Sequence, residues 1–335
     1  MIILGIETTC DETSISVVEN GVSILSNVIY SQIDLHKPFG GVFPELASRE
    51  HLNRILPVLE QSLKEANVTH QDIDLIAVAH GPGLIGSLLV GLNTAKALSL
   101  AWDIPYIGIN HIEAHLYAAM MCHYEQLTFP SLGIVVSGGH TMLVKISNIG
   151  KYSLIGTTID DAVGEAFDKV AAMLGLPYPG GPEIEKLAQT GNLNKYPFAA
   201  GKVKEKPFHF SFSGLKTKVL YTLKGQNNDA KSTSILNENE KKHIAASFQN
   251  AALSDIYQKA EKAVKEYSLK AVYVGGGVSN NNVLKNSLKR LSVPSYFPTP
   301  RLTLDNAAMI AGLAYHKYSK PASYDLEAKT RIPMC

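Results

Sequence analysis

Cysteine is scarce in this 335-residue chain: there are three, Cys10, Cys122 and Cys335, odd in number and far apart. That set excludes a disulfide framework and lacks the paired spacing of a zinc–thiolate site, and it fits a reducing compartment. Charge is also sparse. Charged residues make up 18% of the chain and sum to a formal +1. This leaves no general electrostatic case for nucleic acid, membrane or acidic partners, so a nucleic-acid partner would need a local basic patch or a second subunit. No basic n-region or cleavage site accompanies the apolar start Ile2-Ile3-Leu4-Gly5-Ile6, and no signal peptide is expected. The most apolar stretch, Leu84 to Trp102, is broken by Asn93, Thr94 and Lys96 and reads as a buried helix rather than a membrane span. Against these absences stand 45% hydrophobic residues, enough for two globular domains with their own cores. A soluble, cytoplasmic protein is the expectation.

Chemistry concentrates in Asn110-His111-Ile112-Glu113-Ala114-His115. A short apolar strand, Ile104–Ile109, precedes it, and Leu116–Met121 continues as helix. Residues four apart share one face of a helix, one turn apart, so His111 and His115 can hold one metal ion. Two helix histidines without a metal remain the alternative. Glu113 falls on the opposite face, unlike the glutamate of the His-Glu-x-x-His peptidases, which sits next to the first histidine and serves as base.

Along the chain, Met1–Glu7 reads as a buried strand, Thr8–Thr13 as a polar turn carrying Asp11 and Glu12, and Ser14–Glu19 as a second strand before the turn signal Asn20-Gly21. Acids at strand ends either solvate a turn or serve a site in α/β folds. Glu45–Ala66 reads as an amphipathic helix with Leu52, Ile55, Leu56, Leu59 and Leu63 on one face, kinked or broken at Pro57. A strand at Leu75–Ala79 feeds a glycine-containing loop at His80–Gly86 and a helix to Leu100, an arrangement that suits either a phosphate or tight packing. After Glu125–Pro130, a linker, the opening pattern returns: strand Leu132–Val136, turn Ser137-Gly138-Gly139-His140-Thr141, strand Met142–Ile146. A duplicated start suggests two similar α/β domains, 1–130 and 131–335, facing each other across a cleft, with the last helix able to pack back on the first domain. Asp160–Leu174 reads as a helix, Glu183–Thr190 as another, and Lys202, Lys204, Lys206, Lys216 and Lys218 as either a phosphate-binding patch or a solvated loop over packed aromatics. Gly225–Asn239 reads as a polar loop and Glu240–Tyr267 as a long helix. Strand Ala271–Val274 then opens into Gly275-Gly276-Gly277 and a helix, a stronger phosphate signal than the earlier loop, though a bare turn is not excluded. Asp305 is placed as the N-cap of the final helix, and it is also a hard oxygen donor that would complete a His–His–Asp site suited to iron or zinc.

Taken together, Gly5–Thr13, His111-x-Glu113-x-His115, Ser137–Thr141, Glu165–Lys169, Pro179–Pro182, Phe212–Thr217, Gly276–Asn281 and Asp305-Asn306-Ala307 resemble the bacterial TsaD family in order over nearly the whole chain. These are tRNA N6-adenosine threonylcarbamoyltransferases, formerly labelled O-sialoglycoprotein endopeptidases. The resemblance implies an actin/Hsp70-like fold of two ribonuclease-H-like domains. It also implies transfer of a threonylcarbamoyl group from threonylcarbamoyl-AMP to the adenosine next to the anticodon, in tRNAs reading codons that begin with A. By carry-over, His111, His115 and Asp305 would hold one divalent metal ion, iron with zinc as the alternative. Ser137, Gly138, Gly139, His140, Thr141, Asp168, Gly181, Glu185 and Asn281 would bind the acyl adenylate, with Glu185 standing where many relatives carry aspartate. Asp11 and Glu12 match acids at the mouth of the family's site and are candidate proton acceptors. The resemblance further implies a paralogous scaffold subunit and a small ATPase as partners. Two other readings compete: a metallopeptidase, opposed by the face of Glu113, and an ATP-dependent binding module, which would have no use for the metal triad.

Overall fold

The computed structural model describes residues 1–224 and 237–334; most of the polar loop expected at 225–239 lies outside the described residues. The chain divides into two compact units, 1–127 with 148–152 and 296–335, and 128–147 with 153–295. The segment from Tyr296 onward therefore belongs with the first unit, not with the second half of the sequence.

The first unit is built on a five-stranded sheet in the order β3-β2-β1-β4-β5, with β1 Ile2–Glu7, β2 Glu12–Glu19, β3 Ser23–Ser31, β4 Leu75–Gly81 and β5 Tyr106–Asn110. β1 runs antiparallel to β2 and parallel to β4. The β2–β3 turn uses Asn20 and Gly21 at positive φ, the conformation those residue types tolerate best. Its helices are α1 Ile33–His36, α2 Pro44–Ala66, α3 Ile85–Trp102 and α4 His111–Cys122. The last helix of the chain, α10 Ala307–Lys317, lies so close over β1 that a Cβ on Gly5 would collide with the Ala307 carbonyl. Beyond α10 the chain returns over the sheet, where Ala322 N–H donates to Tyr106 O (2.8 Å), Lys329 N–H donates to His80 O (2.9 Å), and Leu326 packs on the core.

The second unit repeats the same sheet order, β10-β9-β6-β7-β8, with β6 Ser131–Val136, β7 Thr141–Asn148, β8 Lys151–Thr157, β9 Val272–Gly275 and β10 Ser295–Tyr296. Here β6 takes the place of β1, antiparallel to β7 and parallel to β9. Helices α5 Val163–Met173, α6 Gly180–Ala188, α7 Ser213–Lys224, α8 Glu238–Glu266 and α9 Asn282–Leu288 surround it.

Several local expectations are corrected. Leu52 and Leu56 are 64% and 58% exposed; the buried stripe of α2 is Ala47, His51, Ile55, Val58, Leu59 and Ser62. Polar residues take that inner face because they find partners there: Ser62 donates to Ile15 O (3.1 Å), and His51 is bonded on both ring nitrogens. Counting leucines alone rotates the face by one residue. Pro57 leaves α2 unbroken; it sits on the exposed side, where a carbonyl its ring leaves unpaired is open to solvent. α3 is the described helix long and apolar enough to cross a membrane, and only a third of it is buried. It packs through one face of small and medium residues, Ser87, Leu88, Gly91, Leu92, Ala95 and Ser99, rather than being enclosed. The helix expected from Asp160 starts at Val163. Asp160 instead tethers the chain at 211–213, accepting from Ser211 Oγ (2.6 Å), Phe212 N (2.8 Å) and Ser213 Oγ (2.8 Å).

The reassigned face of α2 makes a direct prediction. Leu59→Ala should cost about 2–5 kcal/mol in urea unfolding, whereas Leu52→Ala should stay within about 0.5 kcal/mol.

Candidate metal centre and glycine loops

β5 ends at Asn110, whose side-chain oxygen accepts from Ile112 N (2.9 Å) and Glu113 N (3.2 Å). This N-cap starts α4 at His111 and puts both imidazoles on its first two turns. Their rings stand edge to face with centroids 4.6 Å apart. Asp305 lies just ahead of α10, its Oδ1 3.1 Å from His115 Nε2 and 3.6 Å from His111 Nε2. One donor atom from each residue falls within 4.8 Å of the others. Both histidines are buried. Two imidazole nitrogens and one carboxylate oxygen converging on one point are a donor set suited to iron or zinc with positions left open. The residues fit a metal ion.

Asp305 is not the N-cap of α10. That task belongs to Asn306, whose Oδ1 accepts from Met309 N (3.1 Å) and whose Nδ2 donates to Leu304 O (2.8 Å). With the cap one residue later, the Asp305 carboxylate is turned to the histidines. Glu113 is buried on the other side of α4, where Lys317 Nζ donates to both its oxygens (3.0 and 3.2 Å). It is an ion pair between α4 and α10, not a base.

Two polar residues that sequence reasoning passed over complete the surroundings. Glu7 is fully buried at the end of β1; its Oε1 accepts from Thr9 N (2.6 Å) and its Oε2 from His111 Nδ1 (2.9 Å). Burial works against a charged His111, but the charges of Glu7 and Asp305 and the Glu7 hydrogen bond outweigh it and push the imidazolium up to about 9. His51, buried and held below its ordinary value by that burial, donates from Nε2 to Cys10 O (3.1 Å) and accepts at Nδ1 from Thr13 Oγ1 (2.7 Å). It pins the turn that carries the two acids. Each left a sequence signal: a carboxylate closing a strand that is otherwise apolar, and a histidine in register with Ile55, Val58 and Leu59.

Asp11 and Glu12 are buried rather than solvated. Gln32 N donates to Asp11 O (3.0 Å) and Ser31 Oγ to Glu12 Oε1 (3.1 Å). Burial first, then the charges of Asp11 and Asp305, raises the Glu12 carboxyl well above the usual carboxylate range. Burial and the charges of Asp11, Asp305 and Glu12 likewise raise the Cys10 thiol well above its ordinary value.

In the second unit the β6–β7 turn is closed by Ser137 N donating to His140 O (2.8 Å) and His140 N donating to Ser137 Oγ (3.0 Å). Gly138, Gly139 and Gly181 face open space where a Cβ would stand. Thr141 is buried and its Oγ1 accepts from Val163 N (2.8 Å), joining the turn to the start of α5. Asp168 Oδ1 accepts from Gly180 N (2.7 Å) at the start of α6. Glu185 Oε1 accepts from Asn282 N (2.8 Å) and Nδ2 (3.1 Å), and Asn281 caps α9 through Leu284 N (3.1 Å) while donating to Gln249 Oε1 (2.9 Å). Gly276, at φ 93°, packs against the Val136 carbonyl where a side chain would not fit. Bonds and packing thus gather the turn, the starts of α5 and α6, and the 276–282 segment at the C-terminal ends of the parallel strands β6 and β9, the end at which open α/β sheets take ligands. The lysines divide. Lys216 Nζ is paired with Asp161 (2.7 Å), while Lys202, Lys204, Lys206 and Lys218 are exposed and Phe208, Phe210 and Phe212 are buried.

The family model described as "TsaD: tRNA N6-adenosine threonylcarbamoyltransferase" matches residues 23–312. The chain belongs to the TsaD family. Among curated proteins carrying that enzyme's name, it is 57% identical to one from Protochlamydia amoebophila over 339 residues, covering 100% of this chain and 98% of the relative. Against that of Bacillus subtilis the identity is 46% over 342 residues, covering 100% and 96%. Among solved structures, full-length HypF in its phosphate- and nucleotide-bound form has a TM-score of 0.61 at 17% identity, covering 94% of this chain and 46% of that one. Component A of the Acidaminococcus fermentans (R)-2-hydroxyglutaryl-CoA dehydratase has a TM-score of 0.53 at 13% identity, covering 96% and 100%. At these identities the likeness is one of fold, the two-domain actin/Hsp70-like class.

Separating cap from ligand gives a test at the start of α10. Asp305→Asn should remove Co2+ binding in an absorption titration. Asn306→Ser, which keeps a capping oxygen, should retain one Co2+ per chain and cost about 1 kcal/mol of stability.

Proposed function

We propose that this chain transfers the threonylcarbamoyl group of threonylcarbamoyl-AMP to N6 of a tRNA adenosine, the one 3′-adjacent to the anticodon in tRNAs reading codons that begin with A. The observation that carries the reading is the convergence of His111, His115 and Asp305 in a chain alike, end to end, to enzymes named for that reaction. A nucleotide-driven switch module without acyl transfer would leave that triad without work.

In the reaction the adenosine amine forms a bond to the carbamoyl carbon, the bond from that carbon to the phosphate oxygen breaks, and AMP leaves with the electron pair. A divalent metal held by His111, His115 and Asp305, iron or zinc, would supply Lewis acidity at a carbonyl oxygen. Gly138 and Gly139 of the Ser137–Thr141 turn, with Gly181, would offer backbone N–H groups to the adenylate in the open space beside them, with Asp168, Glu185 and Asn281 fixing the helix starts around them. The amine must lose a proton, and Asp11 or Glu12, buried side by side at the β1–β2 turn, is the acceptor we assign. The near-neutral chain fits an enzyme that gains tRNA affinity from partners, for which a paralogous scaffold subunit and a small ATPase are proposed, in the cytoplasm where tRNA is modified.

Purified protein given threonylcarbamoyl-AMP and unmodified tRNA, with those partners, should yield modified adenosine by mass spectrometry of the digested tRNA. His111→Ala/His115→Ala should neither bind metal nor transfer. Wild-type protein that binds nucleotide but never modifies tRNA, even with partners, would overturn the reading. Asp11→Asn with an unchanged single-turnover rate would remove Asp11 from the proton transfer.

A further inference from the structure

We infer that Glu7 is a positioning residue of the metal centre: it holds His111 by Nδ1–H and so leaves Nε2 as the nitrogen that a metal ion takes. The inference rests on the metal site proposed above but concerns a residue outside its three donors. Glu7 is the last residue of β1, paired with Ser14 of β2 and fully buried. A carboxylate in such a place is retained only where its oxygens are hydrogen-bonded. Both are: Oε1 takes the Thr9 amide at 2.6 Å, and Oε2 takes His111 Nδ1 at 2.9 Å. The Thr9 amide keeps the carboxylate from turning away, and the paired strand keeps its Cα from moving.

The consequence for the imidazole is directional. A carboxylate only accepts, so its partner nitrogen must carry the proton. Nδ1 is thereby excluded as a donor to metal, and Nε2, 3.6 Å from Asp305 Oδ1, is the nitrogen left to bind. A carboxylate behind a ligating histidine also raises its basicity and fixes its ring plane. The other histidine lacks this support: His115 Nδ1 is buried with no hydrogen-bond partner among the described residues. The two imidazoles on one helix are therefore unequal: His111 is anchored at Nδ1 by the sheet, while His115 has no hydrogen bond at Nδ1 and meets Asp305 only through Nε2. His111 is the preset ligand against which the others close.

The test is a Co2+ titration against a competing chelator, followed by its absorption bands, with wild type and Glu7→Gln compared. The amide keeps an acceptor for one partner and loses the charge. Glu7→Gln should bind Co2+ about 10- to 100-fold more weakly; equal affinity in a variant that melts like wild type would overturn the role while leaving the transferase reading intact. Should the variant not fold, histidine nitrogen NMR of the Zn2+-loaded wild type decides. The proton on His111 Nδ1 with zinc on Nε2 supports the assignment, and the reverse tautomer overturns it. Wild type that binds Co2+ normally but never modifies tRNA would sink the functional reading and leave Glu7 in place.

Discussion

The close approach of α10 to β1 is the constraint on which the candidate metal centre depends. With no side chain at Gly5, the Ala307 carbonyl and Ala311 lie directly on the central strand. That contact fixes where α10 begins, and Asp305 sits two residues before it. β1 also ends in Glu7, which reaches His111 on α4. One strand therefore places both Asp305, the candidate carboxylate ligand, and Glu7, the carboxylate bonded to His111. Lys317 and Glu113 close the same two helices on the far side of α4, so the imidazoles lie on a helix held from both sides. Donors fixed in this way spend little ordering entropy when an ion arrives.

Each unit contributes by the same plan. A five-stranded sheet opens with an antiparallel hairpin and continues into parallel strands, which collects functional loops at one end of the sheet. In the first unit that end holds acids and imidazoles; in the second it holds glycines with open space around them and side chains that cap helices. Asp168, Glu185 and Asn281 spend their hydrogen bonds on the backbone and side chains of neighbouring elements. In the proposed reaction these side chains would shape and stiffen the loops, and backbone N–H groups would do the direct holding of an adenylate.

Much of this was legible in the sequence because it is local. The four-residue spacing of His111 and His115, the Asn110 cap and the strand–turn–strand at each start depend on neighbours along the chain, and the pattern of glycines marks where backbone must approach something. What was not legible depends on tertiary partners. Leu52 looks more buried than His51 until Thr13 and the Cys10 carbonyl are seen to satisfy the imidazole. Asp305 and Asn306 are equally good caps by residue type, and only the histidines opposite decide which one turns inward. Glu7 reads as the end of an apolar strand, and its role appears when a residue 104 positions away is found at 2.9 Å.

The measurement that tests the account most directly is metal K-edge absorption of the protein loaded with one equivalent of Zn2+. The account predicts two imidazoles at about 2.0–2.1 Å, oxygen donors filling the remaining positions and no sulfur. A shell with sulfur near about 2.3 Å, or with fewer than two imidazoles, would contradict it.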